Sequence, residues 1–375
     1  MMPRGPIVLA AGGTGGHVFP ARALAEALTA RGWRIALVTD MRGTAFGESM
    51  AGVETHRIRA ATLSGGIAGK IRGALQLGMG FIQARALLRR LAPSAAVGFG
   101  GYPSVPTMAA ASGARVPTLI HEQNAVLGRA NRLLAPRVDR IATAFATVLG
   151  IRPDDRKKIV LTGNPVRAAI AAIGARPYPA RMSAEEPLRV LVFGGSQGAR
   201  ILSDVTPAAF AALPADARAR MRIVQQCRSE DLERVRAVYE DAAIHAELAT
   251  FFEDMPARLA AAHLVIARAG ASTIAEATVA GRPIVFVPYR RAMDDHQTAN
   301  ARAVAEAGAG WAMAEDDFTA PALAARIGGF LSDPDLLRAA AARSLATGRP
   351  DAAERLADAA EALATRNSRP TEAAA

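Results

Sequence analysis

The sequence predicts an α/β protein with two similar domains, each built on a parallel sheet that helices cover on both faces. The first observation behind this prediction is a pair of glycine-rich turns. Gly12-Gly13-Thr14-Gly15-Gly16 follows the apolar run 7–11, and Gly194-Gly195-Ser196-Gln197-Gly198 follows the apolar run 190–193, 182 residues later. Both lead into Ala- and Leu-rich helical stretches. A strand, a glycine turn and a helix cradle phosphate well, because backbone amides at a helix N-terminus face the anion.

The second observation is a regular alternation of short apolar runs with helical stretches. Strands that are apolar on both faces are typical of a parallel sheet buried between two helical layers. The expected strands are 7–11, 35–39, 95–99, 118–121 and 140–144 in the first half, and 188–193, 222–226, 264–267 and 283–287 in the second. Helices are expected between them, for example at 20–30 and 104–112.

A break separates the two halves. Gly163-Asn164-Pro165-Val166-Arg167 is turn chemistry, and residues 174–187 carry three prolines and no clear period. We therefore expect an N-terminal domain, a linker, a C-terminal domain whose last helix can pack back on the first domain, and a flexible tail. Their bounds are 1–165, 166–187, 188–365 and 366–375. Ligands of parallel sheets bind beyond the carboxyl ends of the strands, so two such domains facing a central cleft are the economical arrangement.

Composition limits the class of partner. With 375 residues, 51% of them hydrophobic and 21% charged, the chain suits two folded domains and not a disordered segment. Aromatic residues make up only 5%, which argues against nucleic-acid binding by base stacking. The formal charge of +11 suits an anionic partner such as a membrane surface or a phosphorylated substrate. An arginine-biased proteome would give the same excess.

The single cysteine and the apolar segments indicate in which cellular compartment the protein is expected. Cys227 excludes an internal disulfide and a cysteine-cluster metal site, and we expect a buried structural thiol. The apolar run 6–11 is too short for a secretory signal. The uncharged stretch 91–114 is long enough to span a membrane, but three prolines and three glycines break it into strand, turn and helix. We expect a cytoplasmic protein that touches a membrane without crossing it.

Three known short motifs match this sequence poorly. A dinucleotide fingerprint begins at Gly13 and Asp40 could bind a ribose, but Val18 occupies its third glycine position. The phosphate-binding motif of ATPases fails because no lysine and hydroxyl follow Gly16. Asp333-Pro334-Asp335 matches a metal-binding pattern as text, yet proline after a capping residue is an ordinary helix start. We therefore expect no metal and no cofactor. In a nucleotide-sugar enzyme without a metal, helix N-termini and side chains would have to stabilise the leaving diphosphate.

Several polar residues stand directly after expected strands. His17, beside Gly16, could take a proton from an attacking hydroxyl, or could be a core or capping histidine. Glu276 lies one turn into a helix that follows a glycine turn. It could bind the two hydroxyls of a ribose, or it could be an ordinary surface acid. Glu122 and Asn124 could bind a sugar, or cap a turn.

The segment 63–91 combines aliphatic residues with Lys70, Arg72, Arg85, Arg89 and Arg90. A basic amphipathic helix can lie on an anionic membrane surface. The alternative is an ordinary core-facing helix with a solvated basic edge. Its glycines, Gly73, Gly78 and Gly80, predict a poor regular helix.

Taken together, the motifs resemble one family, the MurG transferases of peptidoglycan synthesis. The matching strings run in family order over nearly the whole chain. They are residues 12–20 (GGTGGHVFP), 100–102 (GGY), 121–124 (HEQN), 163–167 (GNPVR), 194–202 (GGSQGARIL), 270–276 and 295–300 (DHQTAN).

The resemblance implies a GT-B fold and an inverting, metal-independent glycosyltransferase. Its reaction would move GlcNAc from UDP-GlcNAc to the C4 hydroxyl of MurNAc-pentapeptide on undecaprenyl diphosphate, turning lipid I into lipid II. This step belongs to cell-wall biogenesis, and with it to cell shape and division. The first domain would bind the acceptor and dock as a peripheral protein on the anionic cytoplasmic face of the inner membrane.

The resemblance also implies roles for individual residues. His17 and Glu122 would be the candidates for proton transfer. The turn 100–102 (Gly100, Gly101, Tyr102) would face the acceptor. Residues expected at the donor or in the sugar and phosphate site are Thr14, Gly15, Gly16, Asn124, Arg167, Ser196, Phe252 (uracil), Gly270, Ala271, Ser272, Glu276 (ribose) and Gln297 (sugar).

The chain departs from the family pattern at a few positions. Ala269 and Ala275 replace small hydroxyl residues, and residues 225–228 lack an expected glycine. The rival hypotheses are another UDP-sugar enzyme of the same fold, either an epimerase or a glycosyltransferase with a soluble acceptor, and a non-enzymatic nucleotide-sugar-binding scaffold at the membrane.

Overall fold

The computed structural model describes residues 5–12, 15–40, 53–61, 66–180, 183, 185–195 and 198–366. The chain divides into two compact units. Unit 1 is Met1–Val166 together with Asp351–Ala375, and unit 2 is Arg167–Pro350. The segment expected as a linker is partly helical, and its helix Ala168–Gly174 packs within unit 2.

Each unit is built on a parallel sheet. The described strands of unit 1 are β1 Ile7–Ala10, β2 Ile35–Thr39, β3 Glu54–Arg57, β4 Ala95–Gly98, β5 Thr118–Glu122, β6 Arg140–Thr143 and β7 Ile159–Leu161. Those of unit 2 are β8 Leu188–Phe193, β9 Met221–Gln226, β10 His245–Ala249, β11 Leu264–Ala267, β12 Ile284–Phe286 and β13 Gly310–Ala312. The strand orders are β3-β2-β1-β4-β5-β6-β7 and β10-β9-β8-β11-β12-β13.

Helices connect the strands. In chain order they are α1 Gly15–Ala30, α2 Ile67–Leu91, α3 Ser104–Gly113, α4 Arg129–Leu134, α5 Ala168–Gly174, α6 Arg200–Ala211, α7 Ala215–Ala219, α8 Leu232–Asp241, α9 Met255–Ala261, α10 Ala271–Val279, α11 His296–Glu306, α12 Ala320–Ser332, α13 Pro334–Thr347 and α14 Ala352–Arg366. Short 3₁₀ helices lie at Ala135–Arg137, Pro153–Lys158, Ser229–Asp231 and Met293–Asp295.

The alternation of side chains along β1 explains its double burial. Ile7 and Leu9 pack into one hydrophobic cluster with α1 and α14, whereas Val8 and Ala10 pack into another with α2 and α3. All four strand residues are fully buried. A strand with apolar residues on both faces requires a helical layer on each side, as the sequence predicted.

The C-terminal helix α14 belongs to unit 1, where it packs on α1. Arg31, at the end of α1, forms ion pairs with Glu354, Asp358 and Glu361. Trp33 Nε1 donates a 2.6 Å hydrogen bond to the same Glu361. These partly exposed contacts fix the direction of α14, and the buried Leu356 and Ala360 supply its apolar contact with the sheet.

Two expectations about long segments have different outcomes. The stretch 91–114 forms β4, a glycine turn and α3, as predicted, and no helix in the described residues has the length and apolarity to cross a bilayer. The prediction that its glycines would make the 63–91 segment a poor regular helix is wrong over the described part, because α2 is one continuous helix from Ile67 to Leu91. Gly80 is needed there for packing, since a Cβ at that position would lie 1.9 Å from the carbonyl oxygen of Arg59.

The cysteine is structural, as expected. Cys227 is 1% exposed and lies in the main hydrophobic cluster of unit 2. Burial raises the pKa of its thiol, which keeps the thiol protonated and therefore a poor nucleophile.

Candidate active site

In unit 1, three neighbouring strands end at one edge of the sheet. The order β1-β4-β5 brings together Gly12, the turn 100–102 and the loop that begins at Glu122. The loops also bind one another. Gln123 Nε2 donates a 2.9 Å hydrogen bond to the carbonyl of Phe99, and a Cβ on Gly12 would lie 2.8 Å from Cβ of Pro103. A close-packed loop edge results.

His17 lies in the first turns of α1, against the glycine turn that follows β4. A Cβ on Gly101 would lie 3.4 Å from Cδ2 and 3.5 Å from Nε2 of the imidazole, and a Cβ on Gly100 would lie 3.5 Å from Cε1. Both glycines have positive φ angles, +81° and +70°. The backbone conformation therefore favours glycine at both positions, and an added Cβ would come into ordinary van der Waals contact with the ring. Tyr102 is half-buried in the same turn.

Glu122 is buried, and both of its carboxylate oxygens are engaged. Oε1 accepts hydrogen bonds from the backbone N of Asn124 at 3.0 Å and from its Nδ2 at 3.3 Å. Oε2 accepts from the backbone N of Gly128 at 2.9 Å and from Nδ2 of Asn131 at 2.8 Å. The carboxylate thus folds the loop between β5 and α4 around itself, and it sets the position of Asn124.

His121 is fully buried beside Glu122. Its burial lowers the pKa of the imidazole to about 4, with the nearby His17 acting in the same direction. Nε2 lies 3.0 Å from the carbonyl of Gly163, and Nδ1 lies 3.2 Å from Nε2 of Gln123. The neutral ring therefore donates from Nε2 to Gly163 and accepts at Nδ1. It anchors the turn 163–167 to β5.

In unit 2, the glycine turn after β8 is held by a glutamine at the end of β9. Gln226 Oε1 accepts a 3.1 Å hydrogen bond from the backbone N of Gly194, and its Nε2 donates to the carbonyl of Thr250 at 3.2 Å. A Cβ on Gly194 would lie 2.3 Å from the backbone N of Ala199, so the turn closes on itself. Gln226 fixes two loop segments of the same sheet edge relative to each other.

The N-terminus of α10 is the second candidate anion-binding feature of unit 2. Gly270 precedes the helix in an extended conformation with no side-chain cap, so the amides of the first turn, which include Ala271 and Ser272, remain available to a ligand. Within the described residues, the buried Oγ of Ser272 has no hydrogen-bond partner. Asn300 Nδ2 secures the start of this turn with a 3.1 Å bond to the carbonyl of Ala269.

Glu276, further along α10, pairs with Arg167. Nε and Nη2 of Arg167 lie 3.0 Å and 2.9 Å from the same oxygen, Oε1 of Glu276. Burial raises the pKa of this carboxyl, and the guanidinium acts in the opposite direction. Both contacts from Arg167 thus go to Oε1 of Glu276.

Two further expected residues lie at the same end of unit 2, Phe252 on the loop after β10 and Gln297 in the first turn of α11. Phe252 is buried, with the guanidinium of Arg258 4.0 Å from its ring centroid. Gln297 Oε1 accepts a 2.9 Å hydrogen bond from the backbone N of Tyr289. Thr14 and Ser196 lie outside the residues that the structure describes.

Sequence reasoning missed three residues at these edges, namely Asn131, Gln226 and Arg268. Arg268 pairs with Glu315 at 2.6 Å and donates to the carbonyl of Val287 at 3.1 Å. Gln226 and Arg268 stand at or just after strand ends, a signal that could have found them. Asn131 lies on α4, and no pattern in the sequence distinguishes it.

The acidic pair at 333 and 335 is a helix cap, as predicted. Asp333 Oδ1 accepts a 3.0 Å hydrogen bond from the backbone N of Asp335, and Pro334 opens α13. Across the part of the chain that the structure describes, no group of three His, Cys, Asp or Glu side chains is arranged to hold a metal ion.

The sequence matches two family profiles. Residues 7–143 match the glycosyltransferase family 28 N-terminal domain, and residues 189–356 match the glycosyltransferase family 28 C-terminal domain. Together they cover most of both units.

Curated relatives are similar over nearly their full length. A protein of Rhodospirillum centenum is 58% identical over 96% of this chain and 94% of its own, and one of Rhodospirillum rubrum is 51% identical over 96% and 92%. Both are named UDP-N-acetylglucosamine–N-acetylmuramyl-(pentapeptide) pyrophosphoryl-undecaprenol N-acetylglucosamine transferase.

Solved structures agree with the fold. Acinetobacter baumannii MurG superposes with a TM-score of 0.79 at 30% identity, covering 96% of this chain and 100% of that one. The calicheamicin glycosyltransferase CalG4, with a TM-score of 0.66 at 15% identity, covers 98% of this chain and all of its own and shows the fold alone. The predicted class of two Rossmann-like parallel-sheet domains, GT-B, is confirmed. The chain belongs to glycosyltransferase family 28 and, within it, to the MurG family.

Proposed function

We propose that this chain transfers GlcNAc from UDP-GlcNAc to the C4 hydroxyl of MurNAc-pentapeptide on undecaprenyl diphosphate, forming lipid II and releasing UDP. The observation that carries the proposal is the identity of 48–58% to transferases named for this reaction, over at least 94% of this chain. The two glycosyltransferase domains support the same reaction class.

Unit 2 is proposed to bind the donor. The N-terminus of α10 offers amides and the hydroxyl of Ser272 to the diphosphate, which needs stabilisation as it leaves. Glu276 would accept hydrogen bonds from the ribose hydroxyls, with Arg167 beside it, and Phe252 would stand next to the uracil. Gln297, Asn124 and Ser196 are proposed contacts of the sugar or the diphosphate.

Unit 1 is proposed to bind the acceptor at the turns 12–17 and 100–102. His17 is the proposed general base, because its imidazole lies on the glycine turn and has a ring nitrogen that can accept a proton. In the transfer step, the acceptor oxygen would form a bond to C1 of GlcNAc while its proton passes to His17. The bond from C1 to the diphosphate oxygen breaks, and its electron pair leaves with UDP. Attack opposite the leaving group inverts C1.

The proposed membrane contact is an exposed apolar stripe on α2, formed by Ile67, Ile71, Leu75, Met79 and Ile82 at intervals of three or four residues. Ile67, Leu75 and Ile82 are 80%, 64% and 68% exposed. Side chains at this spacing share one helix face, and the opposite face buries Ala84 and Leu88 in the core. An ordinary core-facing helix would not leave five large apolar residues in water.

Basic residues accompany this stripe. Lys70, Arg72, Arg85 and Arg89 are exposed on the same helix, and they can attract the anionic lipids of a bilayer surface. We therefore propose that the protein is peripheral on the cytoplasmic face of the inner membrane. A polyprenyl-linked acceptor stays in that membrane, so docking would bring unit 1 to it.

A choice of acceptors tests the proposal against its alternative. The chain would be given UDP-GlcNAc and either lipid I or the soluble nucleotide UDP-MurNAc-pentapeptide. We expect transfer to lipid I and at most a trace to the soluble acceptor. Preferential transfer to the soluble acceptor would instead favour a glycosyltransferase of the same fold with another substrate.

A further inference from the structure

Two buried polar atoms of unit 1 lack partners within the described residues and border the same small space. They are Nδ1 of His17 and Oδ1 of Asn131. A Cβ on Gly100 would lie 3.5 Å from Cε1 of His17 and 3.6 Å from Oδ1 of Asn131. A buried polar group without a partner costs about 1–3 kcal/mol, so two that face the same glycine call for an explanation.

The orientation of the Asn131 amide follows from its surroundings. Nδ2 donates to Oε2 of Glu122 at 2.8 Å and to the carbonyl of His121 at 3.1 Å. A carboxylate and a carbonyl accept hydrogen bonds and cannot donate them, so the amide cannot be turned round. Oδ1 is therefore the amide atom of Asn131 that is left to accept a hydrogen bond.

The imidazole of His17 needs an acceptor for its second nitrogen. If Nε2, which lies over Gly101, is to take a proton, the neutral ring must carry its hydrogen on Nδ1. After the transfer, Nδ1–H belongs to a cation and seeks an acceptor more strongly. Oδ1 of Asn131 is an acceptor that borders the same space as Cε1, the ring carbon next to Nδ1, since both lie within 3.6 Å of a Cβ built on Gly100.

We infer that Asn131 is a positioning residue of the transfer reaction, whose Oδ1 accepts Nδ1–H of His17 and thereby holds Nε2 as the base. The inference rests on the proposed function. The acceptor C4 hydroxyl gives its proton to Nε2, its oxygen bonds to C1 of GlcNAc, and UDP leaves with the electron pair of the broken bond. The Nδ1 proton stays on His17 throughout.

Glu122 acquires a different role in this arrangement. Both of its oxygens already accept two hydrogen bonds each, from Asn124, Gly128 and Asn131. A base in that position would have to give up one of them to receive a proton. Glu122 therefore orients Asn131 and the loop that bears Asn124, and the proton goes to His17.

The first test removes the acceptor atom. Asn131→Leu should lower kcat about tenfold to a hundredfold, part of the roughly 10²–10⁴ that a positioned base contributes. KM for UDP-GlcNAc should stay within about threefold, because Asn131 is not a proposed donor contact and Glu122 still holds Asn124 through its Oε1. Ser112→Ala is the matched control. It removes a 2.9 Å hydrogen bond from Ser112 Oγ to the carbonyl of Arg137, at the end of α3 that lies away from the glycine turn. An Asn131→Leu variant with unchanged kcat would overturn the inference.

The second test does not depend on activity. The exchange pair Glu122→Gln with Asn131→Asp keeps a hydrogen bond between the two positions and directs a carboxylate at His17. NMR titration of the His17 ring, assigned with a His17→Gln variant, should show its proton affinity raised about tenfold. An unchanged titration in the folded pair would overturn the inference even if Asn131→Leu failed to fold. Failure of the unaltered chain to act on lipid I would instead count against the proposed function alone.

Discussion

Arg167 donates two hydrogen bonds to one oxygen of Glu276, at 3.0 Å from Nε and 2.9 Å from Nη2. Both donors reach Oε1. Glu276 is mostly buried on α10. This pair joins Arg167, the first residue of unit 2, to the proposed ribose site.

Removal of Glu276 should weaken donor binding. Glu276→Ala should raise KM for UDP-GlcNAc about tenfold or more, which corresponds to the loss of a charged hydrogen bond worth ~1.5–3 kcal/mol. Initial rates at varied UDP-GlcNAc measure the effect. KM for lipid I should stay unchanged, and an equal rise in both values would speak against a ribose contact.

Removal of Arg167 should make donor binding depend on pH. Burial raises the pKa of Glu276 and Arg167 counters this, so Arg167→Met should raise that pKa further. A larger fraction of Glu276 is then protonated at acidic pH, which removes carboxylate acceptors. KM for UDP-GlcNAc should rise more steeply on acidification than in the unaltered chain, and the excess should fade as pH increases. Arg302→Met, which disrupts an exposed pair with Glu306, is the control.

The turn under His17 allows a matched glycine comparison. Gly100→Ala and Gly32→Ala both force a residue into a positive φ, +81° and +82°, at a cost of about 1–2 kcal/mol. Only at Gly100 does the new Cβ meet His17 and Asn131, since nothing lies within 4 Å at Gly32. Thermal unfolding should shift similarly in both variants, whereas kcat should fall only in Gly100→Ala. Equal kcat values would separate this turn from the reaction.

Two adjacent glutamines provide another controlled pair. Gln226 binds Gly194 and Thr250, while Gln225 points to the other face of β9, where its Oε1 accepts a 2.6 Å hydrogen bond from Tyr239. Gln226→Leu should raise KM for UDP-GlcNAc severalfold, because the amide of Gly194 loses its partner and the donor turn loosens. Gln225→Leu should lower stability without that change in KM. If both variants shift KM alike, the effect is general destabilisation.

Membrane docking can be tested by charge. Neutralising Lys70, Arg72, Arg85 and Arg89 to Gln should weaken sedimentation with anionic vesicles by about fivefold per charge, since each basic residue near the surface contributes ~1 kcal/mol. The control removes four charges elsewhere, at Arg236, Arg302, Arg338 and Arg355. Vesicle binding that survives the first set, or falls equally with the second, would refute docking through α2.

The sequence predicted the central strands because their apolar runs are unambiguous. β2, β8 and β11 have the expected bounds, and both sheets are parallel as expected. It missed the four edge strands, β3, β7, β10 and β13. β3 and β10 are partly exposed and carry polar residues such as Glu54, His56 and Glu247, and β7 and β13 are only three residues long. An edge strand needs no continuous apolar run, since one of its sides faces solvent.

Candidate site residues could be predicted where they belong to a recognisable sequence motif. The glycine turns, His17 and Glu276 stand at strand ends or helix starts, and the turn 100–101 indeed lies under His17. Asn131 was not predictable, because its importance depends on which neighbours its amide reaches. The full occupation of the Glu122 carboxylate is likewise a property of the folded loop.

The most direct test of the account is a transfer assay with labelled UDP-GlcNAc and lipid I in the presence of a chelator of divalent metals. We expect labelled lipid II and an equal amount of UDP, with the GlcNAc linked through the C4 hydroxyl in the inverted configuration. Epimerisation of UDP-GlcNAc without transfer, or no reaction while both substrates bind, would contradict it.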